Sequence, residues 1–341
     1  MLSPDQLLKK TAERFPSFSG ASMHFIDEGG SDRQFHRFKT LSGETLILVH
    51  YNTEKAENKY YAEHAHFLKA HSIHVPEVME HDAENHLLWL QDLGEKNLWS
   101  QRHEPWSVRR PLYESVLLDV ALLHQISLTA VTAAEITLQK EFDQDLYFWE
   151  QDYFLENALG GLFNIALKTR QRLASSLPLQ QLAKNLAALP RQLIHRDLQS
   201  QNIMLLADQP CLIDFQGMRA GLAPYDLASL LCDPYVSMPA TEREELLAFY
   251  QNEMQRRNFI FSFDFKKVFW QCAAQRLMQA LGCYGFLSLH RGKLKFQEHV
   301  TPALNGFREV LKNLHPEDRM EELEKIVSLI PSPFQPFNSS T

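Results

Sequence analysis

The sequence predicts an α+β fold with two lobes, in which a small β-rich N-terminal lobe precedes a larger and mainly helical C-terminal lobe. The chain has 341 residues, which exceeds the usual size of one domain and favours two lobes around a cleft. Strand patterns surround one helix pattern early in the chain, and helical patterns dominate the remainder. We assign residues 1–93 to the N-terminal lobe, 94–330 to the C-terminal lobe and 331–341 to an irregular tail.

The N-terminal lobe is predicted from short strands joined by turns that contain glycine. A first amphipathic helix covers residues 3–15, and Ser3 forms its cap region together with Pro4 and Gln6. A second helix over 54–71 ends before Pro76, because the residue before a proline disfavours the helical conformation. The predicted strands are Met23 to Ile26, Gln34 to Phe38, Thr45 to Tyr51, Val78 to Met79 and Leu87 to Leu90.

The C-terminal lobe is predicted from apolar residues that recur at helical spacing from Ser107 onward. His124 shares this apolar face, and we expect it to be packed in the core rather than to act in catalysis. The aromatic stretch Asp145 to Leu159 suits a helical core and also a surface on which a sugar ring stacks. Further helices are expected to open at Pro224 and to cover 241–257, 263–291 and 301–328.

The stretch from Gln192 to Arg219 contains a predicted hairpin. Two apolar runs, Asn202 to Leu206 and Cys211 to Phe215, flank the polar turn at 208–210. This arrangement is typical of two short paired strands joined by a tight loop.

Polar residues around this hairpin match the kinase catalytic loop, H-R-D-x-x-x-x-N, which is followed by an Asp-Phe pair on the next strand. His195, Arg196 and Asp197 precede the hairpin, Asn202 stands five residues after Asp197, and Asp214 ends the second apolar run. In such a loop one aspartate accepts the proton of the attacking hydroxyl, while the asparagine and the second aspartate hold magnesium. The pattern therefore predicts an ATP-dependent kinase with Asp197 as base and with Asn202 and Asp214 as Mg²⁺ ligands.

Segments spread over most of the chain resemble the aminoglycoside-phosphotransferase-like kinases, which share the protein-kinase fold. Within that family they are most similar to the bacterial N-acetylmuramate/N-acetylglucosamine 1-kinases of cell-wall recycling. The Asp-Phe-Gln at 214–216, in place of Asp-Phe-Gly, is typical of this subgroup. The resemblance implies ATP and Mg²⁺ as cofactors and the anomeric hydroxyl of an amino sugar as acceptor. The resembling segments are 30–38, 71–78, 90–94, 195–205, 212–221, 224–236 and 276–286.

The resemblance also implies roles for individual residues. Asp226 would steady the catalytic loop at His195 through backbone amides. The implied nucleotide-binding residues are Gly30, Ser31, Asp32 and Arg33 in a phosphate turn, and Gln91 and Leu93 in the hinge between the lobes.

One departure from the kinase pattern concerns the lysine that ends the third strand and pairs with the α- and β-phosphates. His50 stands at that position. Lys39, Lys55 and Arg37 are the cations that the sequence leaves open as substitutes. For the glutamate that normally pairs with the lysine we prefer Glu57 to Glu63, because Glu57 shares a helical face with Tyr60, Tyr61 and His64.

Alternative functions were weighed against the sequence. A protein kinase is disfavoured because only eleven residues separate Asp214 from Asp226, too few for an activation segment. A non-catalytic ATP-binding pseudokinase, and a kinase for an aminoglycoside-like or choline-like acceptor, stay open. Arg219 and Arg276 are candidates for binding an acidic group of the acceptor.

The composition limits the kinds of partner that the protein is expected to bind. The formal net charge of −8 disfavours binding to nucleic acid or to an anionic membrane surface. The N-terminal residues lack the apolar core of a signal peptide, and no apolar run reaches the length of a membrane span, so we expect a cytoplasmic protein. The four cysteines have no metal-binding spacing. We expect a monomer that binds a small-molecule sugar, with an oligomer not excluded.

Overall fold

The computed structural model describes residues 2–26 and 33–335. Three members of the expected phosphate turn, Gly30, Ser31 and Asp32, lie outside these described residues.

A five-stranded antiparallel sheet organises the N-terminal part of the chain, in the order β1-β2-β3-β5-β4. A helix, α1, precedes the sheet, and a second helix, α2, lies between β3 and β4. The bounds are α1 Pro4–Arg14, β1 Ser22–Ile26, β2 Gln34–Lys39, β3 Thr45–His50, α2 Tyr61–Ala70, β4 Val78–Asp82 and β5 Leu87–Gln91. This sheet and the helical remainder confirm the predicted α+β fold class.

The two faces of the sheet are covered by different elements, because side chains alternate between faces along each strand. On one face Leu46, Leu48 and Trp89 pack against α1, and the Trp89 indole donates a hydrogen bond to Thr11 Oγ1 at 3.0 Å. On the other face Leu88 and its neighbours join the core that continues into the helices. The sheet is therefore fixed to the rest of the molecule from its second face.

The helix predicted over 54–71 begins later than expected. Residues Ala56–Tyr60 form a 3₁₀ turn, and the α-helix starts only at Tyr61. Asn58 explains the difference, because its side-chain amide donates to the Asn52 carbonyl at 3.1 Å. An asparagine that bonds locally to the backbone in this way competes with regular helix formation.

Most of the remaining described chain is helical, with two short strand pairs and one isolated bridge among the helices. The helices are α3 Trp106–Gln125, α4 Leu128–Ala133, α5 Gln144–Tyr153, α6 Leu167–Ala174, α7 Leu177–Ala187, α8 Ala223–Leu231, α9 Ala240–Arg256, α10 Phe265–His290, α11 Val300–Asn313 and α12 Glu321–Leu329. The strands are β6 Gln192–Ile194, β7 Ile203–Leu206, β8 Gln209–Leu212 and β9 Arg219–Gly221; β6 pairs with β9, β7 pairs with β8, and Asn97 makes a bridge to Met204 of β7. No helix within the described residues is long and apolar enough to cross a membrane.

Helix α10 is the central element of this part and is buried along most of its length. It packs against the π-helical segment Phe154–Leu162, which continues α5 directly. The contact is so close that a Cβ on Gly285 would lie 2.2 Å from the carbonyl oxygen of Asn157. Glycine is therefore required where the two backbones meet.

The last helix, predicted over 301–328, is divided into α11 and α12. Leu314 is extended, and Pro316 follows within two residues. Proline lacks the N–H donor and clashes with the preceding turn of a helix, so the division falls at this point.

The buried histidines of the sheet predict an acid-sensitive fold. His36 is buried, neither ring nitrogen has a hydrogen-bond partner among the described residues, and burial lowers its pKa. A lowered pKa means that the unfolded chain binds the proton more readily, so stability is present above the ordinary histidine pKa and is lost as the pH falls below it.

We expect the free energy of unfolding to decrease between pH 7.5 and pH 5.5, and to decrease less in His36→Phe. Urea titrations at both pH values measure this, with His24→Phe on the exposed side of neighbouring β1 as the matched control. An equal decrease in His36→Phe and in the parent would contradict the prediction.

Candidate active site

The loop between β6 and β7 is anchored from below by the buried carboxylate of Asp226, near the start of α8. Asp226 accepts hydrogen bonds from the backbone amides of His195 at 2.6 Å and Arg196 at 2.7 Å. His124 Nε2 lies 3.1 Å from the same carboxylate, and its Nδ1 contacts the Tyr250 hydroxyl at 2.7 Å. His124 thus lies in the core, where it links α3, α8 and α9. The bonds from Asp226 fix the backbone immediately before Asp197.

A second buried aspartate, which the sequence reasoning gave no role, holds the far side of the same loop. Asp233 Oδ2 accepts from the backbone amide of Ser200 at 2.8 Å and from its hydroxyl at 2.6 Å. Burial raises the pKa of Asp233, and the bonds from Ser200 oppose that rise. The only signal in the sequence is an aspartate seven residues after Asp226, which by itself does not reveal its partner.

The side chain of Asp197 lies between two arginines. Arg196 forms an ion pair with Asp197 Oδ2, and Arg276 of α10 places Nη2 at 3.7 Å from Oδ1. Burial alone raises the pKa of Asp197, but the charges of Arg196 and Arg276 outweigh it and hold this pKa below the ordinary value. Asp197 is therefore ionised at neutral pH, as a proton acceptor must be.

Further charged groups surround this carboxylate. Arg219 is largely buried, stacks 5.4 Å from the Phe142 ring centroid and forms no ion pair with any carboxylate in the part of the chain that the structure describes. Its pKa is lowered by burial and then by the charge of Arg196. Glu150 is fully buried and accepts a hydrogen bond from the Tyr225 hydroxyl at 2.8 Å; burial raises its pKa. Arg196 and Arg276 thus supply the positive charge nearest to Asp197. The buried carboxylates of Glu150, Asp226 and Asp233 lie in the same region, together with Arg219.

Asn202 and Asp214 lie beside Asp197 through short backbone links. Asn202 Nδ2 donates to the Asp197 carbonyl at 2.9 Å, and the Ile213 amide donates to the Asn202 carbonyl at 3.0 Å. His195 Nε2 donates to the Ile213 carbonyl at 3.0 Å, which ties the loop to the chain just before Asp214. Asp214 itself has a left-handed backbone, with φ of 61°.

The donor chemistry of these two residues fits a magnesium ion. Because Asn202 uses its NH₂ group to contact Asp197, its amide oxygen is the end available as a ligand, and no hydrogen bond to that oxygen occurs within residues 2–26 and 33–335. Asp214 supplies carboxylate oxygens and is partly exposed. Amide and carboxylate oxygens are the hard ligands that Mg²⁺ prefers.

Arg33, the described member of the expected phosphate turn, reaches across to this pair. Its Nη2 lies 2.5 Å from Asp214 Oδ1, and its guanidinium lies 5.6 Å from the Phe35 ring centroid. The ion pair joins residues 181 positions apart in the chain.

The structure also places the residues considered for the missing lysine. His50 is buried at the end of β3, its Nδ1 has no hydrogen-bond partner among the described residues, and burial lowers its pKa, so the ring is neutral at pH 7. Arg37 faces the other way and pairs with Asp92 at 2.7 Å and Glu95 at 2.8 Å. Lys39 is exposed at the far end of β2.

Neither candidate glutamate forms an ion pair with a third-strand residue among the described residues. Glu57 is half-buried in the 3₁₀ turn before α2. Glu63 accepts a bond from the Thr137 amide at 3.3 Å.

The expected hinge follows β5 directly. The Gln91 amide donates to the Glu77 carbonyl at 2.9 Å, and Leu93 is buried. Arg37 donates to the Gly94 carbonyl at 2.9 Å, and Gly94 has a positive φ of 78°. The chain then passes to β7, where the Leu98 amide donates to the Ile203 carbonyl at 2.8 Å. The segment after the hinge is thus attached to the hairpin that carries the catalytic-loop residues.

Comparison with known proteins identifies relatives over most of the chain. The sequence pattern of the phosphotransferase enzyme family matches residues 22–260. An N-acetylmuramate/N-acetylglucosamine kinase from Pseudomonas aeruginosa is 25% identical over 308 residues, which cover 88% of this chain and 87% of that protein. A protein of the same name from Neisseria meningitidis is 24% identical and covers 76% of this chain and 75% of its own length.

Solved structures share the fold at low sequence identity. A choline kinase from Cryptosporidium parvum has a TM-score of 0.60 and 13% identity, and the match covers 96% of this chain and 98% of that one. The match confirms the protein-kinase-like fold that the motifs predicted.

Proposed function

The chain belongs to the phosphotransferase enzyme family and transfers a phosphoryl group to a hydroxyl; we propose that ATP is the donor, that Mg²⁺ accompanies it, and that the acceptor is the anomeric hydroxyl of an N-acetylated amino sugar. The observation that carries the proposal is the half-buried loop in which Asn202 bonds both to Asp197 and to Ile213, the residue just before Asp214. Three oxygen-bearing side chains in this order are those that phosphoryl transfer uses in kinases of this fold.

In this proposal Asp197 accepts the proton of the acceptor hydroxyl as its oxygen attacks the γ-phosphorus of ATP. The bond between the γ-phosphorus and the oxygen that bridges it to the β-phosphate breaks, and ADP leaves with that oxygen. Asn202 and Asp214 would hold Mg²⁺, which neutralises charge on the phosphates when it is bound. Asp226, with the backbone of His195, and Asp233 keep the loop rigid, so that the carboxylate of Asp197 needs little reorganisation.

We propose that Gln91 and Leu93 at the hinge bind the adenine ring of ATP. The phosphates of ATP would bind to the turn that contains Gly30, Ser31, Asp32 and Arg33. The hinge suits this role because Arg37 fixes its backbone through Asp92, Glu95 and Gly94. His50 and Glu57 are the weaker members of the proposed nucleotide site, since His50 is buried and neutral and Glu57 stands in a 3₁₀ turn.

The charge around Asp197 separates the acceptor classes. Choline and aminoglycosides are cations, and the guanidinium groups of Arg196 and Arg276 beside Asp197 oppose their approach. A neutral or anionic sugar is favoured instead. The relatives named for N-acetylmuramate and N-acetylglucosamine support the same class, because the first of these sugars carries a carboxylate.

A panel of acceptors tests the proposal, with ATP consumption as the rate and ³¹P NMR of the product as the assignment. We expect phosphorylation of N-acetylmuramate and N-acetylglucosamine at the anomeric oxygen, with the lower KM for N-acetylmuramate. The methyl glycoside of N-acetylglucosamine is the matched control, since its anomeric oxygen is blocked and it should not react. Turnover of the methyl glycoside, or of choline or an aminoglycoside alone, would contradict the assignment.

A further inference from the structure

We propose that the side chain of Arg33 takes the place of the absent third-strand lysine, binding the nucleotide phosphates and pairing with Asp214 when no nucleotide is present. The inference rests on the proposed use of ATP and adds a specific cation to it.

The need for such a cation follows from the sequence of β3. Its six residues, Thr45 to His50, contain no lysine or arginine. The triphosphate of ATP carries several negative charges, and a bound magnesium ion offsets only part of them. A kinase of this fold therefore requires another positive group or donor set near the α- and β-phosphates.

Arg33 is suitably located because it already contacts the residue proposed to hold the metal beside the phosphates. Its guanidinium lies 2.5 Å from Asp214 Oδ1, and its side chain is only 15% exposed. It stands directly before β2, at the end of the turn expected to cover the phosphates. In the proposed function the phosphates and their metal bind beside Asp214, so a cation held at Asp214 is within reach of a phosphate.

The chemistry of the side chain supports the same role. Guanidinium presents two parallel N–H donors that match phosphate as well as carboxylate oxygens. Without nucleotide, Arg33 neutralises Asp214. With nucleotide bound, Arg33 would pair with the phosphates instead of Asp214, and the Asp214 carboxylate would be free to hold Mg²⁺, so that neither charge is left unpaired.

Three of the competing side chains, those of Arg37, His50 and Lys39, are less well placed. Arg37 is held at the hinge by two carboxylates. His50 is buried and neutral at pH 7. Lys39 is exposed at the opposite end of β2 from Arg33.

Calorimetric titration of the full chain with nucleotides tests the proposal. We expect Arg33→Ala to weaken ATP binding by about tenfold or more, both with Mg²⁺ and with EDTA, because the lost contact is to phosphate. Adenosine should bind the variant and the parent alike, since it has no phosphate. Arg33→Lys should recover most of the ATP affinity because it restores the charge. Lys39→Ala is the matched control, which removes the same charge from the other end of the strand and should leave all affinities unchanged.

The possible outcomes separate this inference from the proposed function. If Arg33→Ala binds ATP as tightly as the parent, the inference is wrong and the proposed function stands. The same holds if ATP and adenosine are weakened equally, because Arg33 then acts only on the fold, or if His50→Ala or Lys55→Ala causes the selective loss instead. A parent that binds no ATP would overturn both proposals.

Discussion

Asp197→Asn is expected to lower kcat by about 10²- to 10⁴-fold, the usual range for the loss of a general base. The substitution keeps the shape of the side chain and removes only its ability to accept the proton of the acceptor hydroxyl. Affinity for ATP should stay within about threefold of the parent, because the change acts on the chemical step rather than on nucleotide binding. Steady-state kinetics with N-acetylmuramate and calorimetry with ATP measure the two quantities.

Two controls are needed to attribute a loss of kcat to the loss of the base. Asp197→Asn leaves the charges of Arg196 and Arg276 without their partner, so thermal unfolding must confirm that the variant is folded at the assay temperature. Asp208→Asn is the matched substitution in the same hairpin. Asp208 is exposed and pairs with Lys96 at the surface, so this variant should have parental activity. A kcat in Asp197→Asn that is comparable to the parent would exclude Asp197 as the base.

Asp214→Asn is expected to reduce kcat by more than about 100-fold, because a charged ligand beside the developing phosphoryl charge is lost. The effect of the substitution on ATP affinity should differ in sign between solutions with Mg²⁺ and solutions with EDTA. With Mg²⁺ present, ATP should bind more weakly than in the parent, since a carboxylate ligand has been removed. With EDTA present, ATP should bind at least as tightly as in the parent, because Asp214 no longer repels the phosphates and Arg33 is released from its ion pair.

The comparison of the two conditions makes this test specific. A residue that only supports the fold would weaken ATP binding equally with and without metal. If Mg²⁺ strengthens ATP binding by the same factor in Asp214→Asn and in the parent, Asp214 is not a metal ligand.

The sequence by itself was sufficient to predict the features that depend on short stretches of the chain. The spacing of Asp197, Asn202 and Asp214 identified the phosphotransferase chemistry, because Asn202 and Asp214 flank two strands joined by a tight turn and Asp197 lies in the loop just before them. The alternation of apolar residues likewise predicted the strands of the sheet and the fold class. Prediction failed where a local hydrogen bond altered the expected structure. The side chain of Asn58 bonds to the backbone and delays the start of α2.

Only the tertiary structure decided which distant side chains meet at the site. Arg276 approaches Asp197 from α10, 79 residues further along the chain, and Asp233 bonds to Ser200 from beyond α8. Arg33 reaches Asp214 across 181 residues. Periodicity and motif spacing describe the chain within one or two elements, whereas the electrostatic environment of a buried carboxylate is the sum of charges brought together by packing. The sequence therefore determined the reaction class and the fold, and the packing of the helices against the catalytic loop determined the positive charge nearest to Asp197 and the cation that faces Asp214.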